Sequence, residues 1–148
     1  MPRFEFRLSP LLSLRETVRD EKRELLADAL RVAEGIDAQL AEIAELMAHI
    51  KRRQAAGVGR VDVDRLLDAS RYETVLMVER MRLEQQRAAV AEEIERRRQA
   101  LAAADVEVRV LEKLRDKQAE RFRLEQERQD AKRLDEVASL RHAAAEEG

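Results

Sequence analysis

From Arg60 to Glu147 the sequence contains neither glycine nor proline. Because these two residues are the strongest breakers of a regular backbone, a stretch of this length without them favours one long, uninterrupted helix. The glycines and prolines of the whole chain are Pro2, Pro10, Gly35, Gly57, Gly59 and Gly148. Their positions leave room for two helices with a single break between them.

Ser9 and Pro10 predict the start of the first helix. A serine side chain can cap the free N–H groups of a helix, and proline suits the first turn, where no donor is needed. Gly35 lies inside this helix at a cost of ~1 kcal/mol relative to alanine. It therefore predicts a kink or a close contact at that position.

Gly57 and Gly59 predict the break, because both permit the positive φ that commonly ends a helix. Asp62 or Asp64 can then cap the second helix. The predicted organisation is a single domain over 1–148, with a first helix over about 9–56, a turn over 57–61 and a second helix over about 62–145.

The composition is typical of long helices rather than of a compact core, with 41% charged and 3% aromatic residues. The net charge of −2 has interleaved signs and forms no polybasic or acidic tail. Without cysteine, a disulfide framework or thiolate metal site is excluded. No stretch approaches the ~20 apolar residues of a membrane span, and the first residues lack the apolar core of a signal peptide. We therefore expect a soluble cytoplasmic protein with no cofactor and no direct membrane span.

Apolar residues recur in alternating steps of four and three, which is the 3.5-residue period of a left-handed coiled coil. In the first helix the predicted seam is Leu11, Arg15, Val18, Lys22, Leu25, Ala29, Val32, Ile36, Gln39, Ile43, Leu46 and Ile50. In the second helix it is Leu76, Arg80, Leu83, Arg87, Val90, Ile94, Arg97, Leu101, Ala104, Val108 and Leu111. A short turn between two such helices predicts an antiparallel coiled-coil hairpin, an all-α fold.

The register of the hairpin follows if facing residues sum to 119, because the midpoint then falls in the glycine-containing turn. The predicted pairs are Ile43–Leu76, Ile36–Leu83, Ala29–Val90, Leu25–Ile94, Val18–Leu101 and Leu11–Val108. The predicted polar layers are Lys22–Arg97, Gln39–Arg80 and Val32–Arg87. In this register the first helix ends opposite about residue 109, so the second, longer helix overhangs it.

The overhanging part of the second helix is rich in charge but carries no catalytic or metal-binding pattern. Residues 109–133 hold nine basic and six acidic side chains, and this mild excess argues against a nucleic-acid surface, which would exclude acids. His49 and His142 lie far apart in the sequence and are expected to be solvated. There is no phosphate-binding glycine loop, so we expect no enzymatic activity.

The two ends of the chain resemble the flagellar export protein FliJ family of bacterial type III export. The segments are FEFRLSPLLSLRE at Phe4–Glu16 and VLEKLRDKQAERFRLEQERQDAKRLDEVA at Val110–Ala138. The matching residues are Phe4, Phe6, Arg7, Leu8, Leu11, Leu12, Leu14, Arg15, Leu111, Glu112, Lys113, Leu114, Phe122, Asp135 and Glu136. Tyr72, Leu76, Leu83, Glu84, Gln85 and Gln86 lie at the spacing of the family's middle segment.

The resemblance implies a non-enzymatic component of the flagellar export apparatus that resembles the stalk of a rotary ATPase. Its implied partners are the hexameric export ATPase, the membrane export gate and export chaperones. It implies a location at the inner membrane, peripherally at the flagellar basal body, and a free protein that is monomeric. The implied ATPase-ring contacts are Phe4, Phe6, Arg7, Lys113, Arg115, Arg121, Phe122, Arg123, Arg128, Asp135 and Glu136. The implied export-gate contacts are Tyr72, Val75, Glu79, Arg82 and Gln86.

Two other interpretations of the charged helix stay open at the level of sequence. One is a generic coiled-coil spacer or scaffold, whose charged helix only keeps the protein in solution. The other is a holdase-type chaperone that clasps clients between two arms. A holdase should expose apolar tips, whereas the tips predicted here are charged.

Overall fold

The structure is a computed structural model that describes residues 2–57 and 62–148. Helix α1 spans Ser9–Ala56 (48 residues) and helix α2 spans Val63–Glu146 (84 residues). The two helices pack against each other, and no strand occurs in the described part of the chain. The predicted all-α hairpin with unequal helices is therefore confirmed.

Asp62 caps the start of α2. Its carboxylate accepts a hydrogen bond from the Asp64 backbone N–H (3.1 Å), and its carbonyl accepts one from Leu66 (3.1 Å). Both bonds satisfy groups that a helix start leaves unpaired. Of the two aspartates that the sequence offered as caps, Asp62 is the one used.

α1 starts at Ser9, as predicted, but its cap is one residue earlier than the predicted Ser9. The Leu8 carbonyl accepts the Leu12 N–H at 2.9 Å, so Leu8 holds the cap position and Ser9 is the first helical residue. Pro10 is then the second residue of the helix. Its missing N–H still costs nothing there, because the first N–H groups of a helix have no intrahelical acceptor.

The predicted end of the first helix at Gly57 is confirmed, since α1 ends at Ala56. The positive φ at Gly57 and the close contact at Gly35 were wrong, and a kink at Gly35 stays a prediction. None of the described glycines has a positive φ, so Gly57 follows the end of α1 without the left-handed conformation. Gly59 and the rest of the predicted turn, 58–61, lie outside the described residues. At Gly35 an added Cβ would meet no atom within 4 Å, so this glycine marks no close contact.

The described chain divides into two compact units. One unit is Asp20–Ala102, and the other combines the residues up to Arg19 with Ala103–Gly148. The prediction that the whole chain is a single domain stays a prediction. Both units contain residues from α1 and from α2.

The core of the Asp20–Ala102 unit consists of two apolar clusters. The first joins Ile36 and Ile43 of α1 to Leu76 and Leu83 of α2, with Leu40, Met47, Ile50 and Val90 packed against it. The second joins Ala29 and Ala33 to Ile94, with Leu26 and Val90 alongside. Lower-numbered residues of α1 thus meet higher-numbered residues of α2, which is the antiparallel direction predicted.

The predicted seam is correct for α2 and half correct for α1. All eleven predicted positions of α2 are buried or half-buried. In α1 the predicted positions 15, 18, 22, 29, 36, 43 and 50 are buried or half-buried as expected. The predicted positions Leu11, Leu25, Val32 and Leu46 are instead 36–53% exposed, and Gln39 is exposed as well. The residues one step later, Leu12, Leu26, Ala33, Leu40 and Met47, take their place.

The predicted Leu25–Ile94 pair was therefore wrong, because Ile94 packs in the cluster of Ala29 and Ala33. The error in the α1 seam arose because the next seam residue of a coiled coil can lie three or four positions after the last one. In α1 both positions often hold an apolar side chain, so the sequence does not distinguish them. Gln39 and Leu40 are the informative pair, since only the step that reaches Leu40 keeps a large apolar residue in the seam.

Two of the three arginines of α2 in the predicted seam, Arg87 and Arg97, donate hydrogen bonds at its edge, whereas Arg80 Nε is buried without a hydrogen-bond partner. Arg87 Nε donates to Asp37 Oδ1 at 2.9 Å, which links α2 to α1. Arg97 donates to the Leu25 carbonyl of α1 and to Glu93 at 2.8 Å. These long side chains pack their stems in the seam while the guanidinium groups find acceptors.

The other unit has a smaller core. Leu12, Ala104 and Val108 are buried there, Val108 to 1% exposure. Arg15 forms an ion pair with Glu107 at 3.0 Å between the two helices.

Candidate functional site

The candidate site is the part of α2 at 111–136, which we call the arm. It belongs to the same unit as residues 2–8, the N-terminal segment, which precedes α1. In that segment Phe4, Phe6 and Leu8 are half-buried while the residues between them are exposed. From Phe4 to Phe6 this alternation is the pattern of an extended chain with one face against its neighbour. Arg7 and Leu8 then form a turn, in which the Ser9 N–H donates to the Phe6 carbonyl at 3.1 Å.

The N-terminal segment contacts the arm through two aromatic rings. The Phe4 and Phe122 ring centroids lie 5.8 Å apart with an interplanar angle of 49°, within the range of favourable aromatic pairs. On the arm the half-buried positions include Leu111, Gln118, Phe122 and Gln126. Successive members are seven or four residues apart, which places them on one helix face. Every residue after Gln126 is exposed. The arm thus has one covered face near its start and a free end.

Some charges of the arm are neutralised within the helix itself. Arg123 donates to Glu120 (Nε–Oε2 3.0 Å) and to Glu127 (2.6 Å). These hydrogen bonds lower the pKa of Glu120 and raise the pKa of Arg123. Arg115 lies 3.3 Å from Asp116. Arg115 and Arg123 are therefore occupied in the free protein.

Six other cations of the arm have no ion-pair partner among the described residues, and all six are exposed. Five of them share one helix face, and we call these the basic stripe; its members are Lys113, Lys117, Arg121, Arg128 and Lys132. The sixth, Arg133, lies off this face. Successive members are four or seven residues apart, so they follow one face of the helix. The stripe is about 28 Å long at 1.5 Å per residue.

The direction of helical side chains explains why the stripe is unpaired. Side chains tilt toward the helix N-terminus, so a base pairs best with an acid three or four residues before it. Most intrahelical ion pairs of this chain follow that order, such as Glu79–Arg82, Glu93–Arg97 and Asp105–Arg109. Four of the five stripe members have no acid at those preceding positions; only Arg128 has one, Glu125.

An acidic flank runs beside the stripe. Glu112, Asp116, Glu120 and Glu127 each stand one residue before a stripe member. One residue is about 100° around a helix, so acids and bases lie on neighbouring faces of the arm. Three of these acids are paired with Arg115 or Arg123, so the flank carries neutralised pairs while the stripe carries free cations.

The structure places the sequence-predicted ring-contact residues in different surroundings. Lys113, Arg121 and Arg128 lie on the basic stripe, whereas Arg115 and Arg123 are paired with acids of α2. Phe4, Phe6 and Phe122 are half-buried, and Arg7, Asp135 and Glu136 are exposed. Sequence reasoning missed Lys117 and Lys132. Their spacing of four from Lys113, Arg121 and Arg128 was the available signal.

The sequence-predicted gate-contact residues share one face of α2 in the Asp20–Ala102 unit. Tyr72 is 46% and Val75 63% exposed. Glu79 and Arg82 form an ion pair, with Arg82 Nε 3.0 Å from Glu79 Oε2, which lowers the pKa of Glu79. Gln86 is exposed at the end of this face.

A second face at the start of α2 exposes apolar side chains. Val63, Leu67, Met77, Val78 and Met81 are 47–63% exposed. Most of them follow each other in steps of four, three or their multiples, on the side of α2 away from Leu76 and Leu83. We call this set the apolar face.

Within residues 2–57 and 62–148, no cluster of three or more His, Cys, Asp or Glu residues is placed to hold a metal ion. His142 lies 3.3 Å from Glu146 on the exposed end of α2. Among the described helices, none combines the length and the apolar content of a membrane span.

The comparisons with known proteins give one match. A family model described as flagellar FliJ protein matches residues 4–147. No curated protein and no solved structure matches the chain significantly. The matched range includes the N-terminal segment from Phe4 onward, both helices and the arm.

Proposed function

The chain belongs to the flagellar FliJ protein family, a non-catalytic component of the flagellar export apparatus, and from this membership we propose that its arm enters the ring of the hexameric export ATPase. Residues 72–86 of α2 contact the membrane export gate. The protein then associates peripherally with the inner membrane at the flagellar basal body.

The observation that carries this proposal is the fully exposed end of the arm. From Glu127 onward α2 continues as a helix to Glu146 with every residue exposed. A helix of such polar composition gains no stability from a core of its own. A partner protein that surrounds the arm gives this part of the chain a function.

The test is ATP turnover by the purified export ATPase with and without this protein. A truncation after Gln126 removes only exposed residues, so its thermal unfolding, followed by circular dichroism, should remain close to that of the full chain. We expect the full chain to stimulate turnover and the truncated chain to stimulate little. Full stimulation by a folded truncated chain would exclude the arm's end from the ring contact.

The gate contact is tested separately. Tyr72 and Val75 carry the exposed apolar surface of the proposed gate face, so replacing both with aspartate should weaken binding to the purified cytoplasmic part of the gate protein. ATPase stimulation should be unchanged, because the arm is intact. Unchanged gate binding by the double variant would remove this face from the proposal.

The apolar face favours a second function, the binding of export chaperones or of unfolded clients. Large apolar side chains exposed together mark sites of protein interaction. Light scattering by an aggregating client should fall in the presence of the protein if it acts as a holdase. Leu67→Glu combined with Met81→Glu should abolish that effect, and Leu134→Glu, elsewhere on exposed α2, is the control.

A further inference from the structure

We infer that the arm binds its partner through the basic stripe alone, and that the surface it meets is a row of carboxylates on a protein. This inference rests on the proposed function and deepens it. It divides the charged residues of the arm into a binding set and a set that serves the helix itself. The stripe members are Lys113, Lys117, Arg121, Arg128 and Lys132.

The division follows from what each cation must give up on binding. Arg123 already holds Glu120 and Glu127, so a partner carboxylate would have to replace one acid by another for little gain. A stripe cation such as Arg121 exchanges only water and counterions. An exposed ion pair contributes little free energy, so a cation that must first release an acid of its own helix gains almost nothing from a partner carboxylate. Only the cations without such an acid favour binding.

The spacing of the stripe defines the partner surface. Members four residues apart are separated by about 6 Å along the helix, and the whole stripe covers about 28 Å. Aspartates and glutamates repeated at four-residue intervals along a helix of the partner would match this spacing. Such a row fits an elongated contact rather than a single pocket.

The acidic flank makes the contact one-sided. Glu112, Asp116 and Glu120 lie about 100° around the helix from the stripe, and Asp116 and Glu120 already hold Arg115 and Arg123. A partner carboxylate that approaches from that side therefore meets no free cation. Because only the stripe attracts carboxylates, it sets the rotation of the arm about its own axis.

The same flank argues against nucleic acid. A phosphate backbone carries dense negative charge and requires a surface from which acids are excluded. Four of the five stripe members directly follow an acidic residue. The chemistry that fits is thus a limited number of carboxylates in a row.

Two matched variants test the inference. The stripe variant is K117Q/R121Q/R128Q, and the control is R109Q/R115Q/R123Q, whose three arginines are in ion pairs. Both lower the net charge by the same amount and act on full-length protein. The measurement is the Kd for the purified hexameric export ATPase at a series of salt concentrations, with circular dichroism of each variant.

We expect the stripe variant to bind about tenfold more weakly, since three exposed charge contacts are lost, and to show a flatter salt dependence. The control should remain within about threefold. Zero-length carbodiimide coupling should then join Lys113, Lys117 or Lys132 to aspartates or glutamates of the ATPase. Lys22 and Lys51, the chain's other lysines, are internal controls for this coupling.

The outcomes separate the inference from the proposed function. If the wild-type protein does not bind the ATPase, both are wrong. If it binds and the two variants lose affinity equally, or if coupling occurs only through Lys22 and Lys51, the function stands and the stripe assignment is overturned. Stripe-dependent binding of RNA in a gel-shift assay would also overturn it, by assigning the stripe to nucleic acid.

Discussion

Leu25 and Leu26 are identical neighbours with different surroundings. Leu25 is 45% exposed, while Leu26 packs against the cluster of Ala29, Ala33 and Ile94. The side chain of one leucine is thus largely outside the seam and the other largely inside it. Their comparison measures what the seam contributes without any change of residue type.

Leu26→Ala should reduce the free energy of unfolding by roughly 1.5–3 kcal/mol, toward the lower part of the usual range for a large-to-small core change. Leu25→Ala should change it by less than about 0.5 kcal/mol, as surface substitutions do. Thermal and urea unfolding followed by circular dichroism measures both. Equal losses for the two variants would contradict the observed seam.

Gly35→Ala is expected to stabilise the protein, whereas Leu26→Ala destabilises it. An added Cβ meets no atom within 4 Å, and the residue lies in the interior of α1. Gly35→Ala should therefore raise the free energy of unfolding by about 0.5–1 kcal/mol through helix propensity alone. A lower melting temperature for this variant would show that the position needs glycine for another reason.

The residue level also shows where sequence reasoning succeeded. In α2 the predicted seam is correct because Leu83, Ile94 and Val108 each lie between two charged residues, so a shift by one position would place a charge in the seam. In α1, the apolar doublets Leu11–Leu12, Leu25–Leu26 and Leu46–Met47 allow two registers. Only packing against α2 decides between them, and that information is distributed over both helices.

At the level of elements, the register of α1 on α2 is open to a direct test. Ile36 and Leu83 belong to one buried cluster. Cysteines introduced by Ile36→Cys and Leu83→Cys should form a disulfide within one chain, which requires Cα atoms within about 7 Å. The pair Ile36→Cys and Ile94→Cys should not. Gel mobility without reductant distinguishes them, and efficient coupling of the second pair would contradict the register.

The N-terminal segment should stabilise the start of the arm. Phe4→Ala removes the ring that contacts Phe122, so backbone amides near Phe122 should exchange hydrogen faster. Amides near Leu83, in the other unit, should keep their rates. Hydrogen exchange read by mass spectrometry measures both regions, and unchanged exchange near Phe122 would show that the contact does not hold the segment.

The arm also shows which part of a candidate site a sequence can supply. The number of charges and their helical context follow from the residues alone. Which cations are free depends on side-chain direction: Arg123 follows Glu120 by three residues, whereas Lys113 precedes Asp116. An analysis of charge that ignores this order counts both as equivalent, which is why Arg123 was grouped with Arg121.

At the level of the whole molecule, three carboxylates link stability to pH. Hydrogen bonds from arginines lower the pKa of Glu79, Glu93 and Glu120 below the ordinary value of 4.5. A lowered pKa in the folded state contributes stability above the ordinary pKa, and that contribution is lost as the pH falls through the lowered value. The melting temperature should therefore be nearly constant from about pH 7 to pH 5 and fall below about pH 4.5.

Glu93→Gln provides the check on this pH dependence. Glu93 accepts from both Arg96 and Arg97, so the variant should lose part of the acid-induced fall and have a lower melting temperature at neutral pH. Melting curves at a series of pH values measure this. An identical pH profile for variant and wild type would show that Glu93 does not contribute.

The contact between Phe4 and Phe122 joins residues separated by 117 others in the chain. A ribosome adds about 5–20 residues per second, so Phe4 is synthesised roughly 6–24 seconds before Phe122. During that interval the two phenylalanines of the N-terminal segment have no docking surface, and a nascent-chain chaperone has time to bind them. This unit is therefore completed late in translation. A chain whose synthesis stops before Phe122 leaves the ribosome with its first residues still exposed.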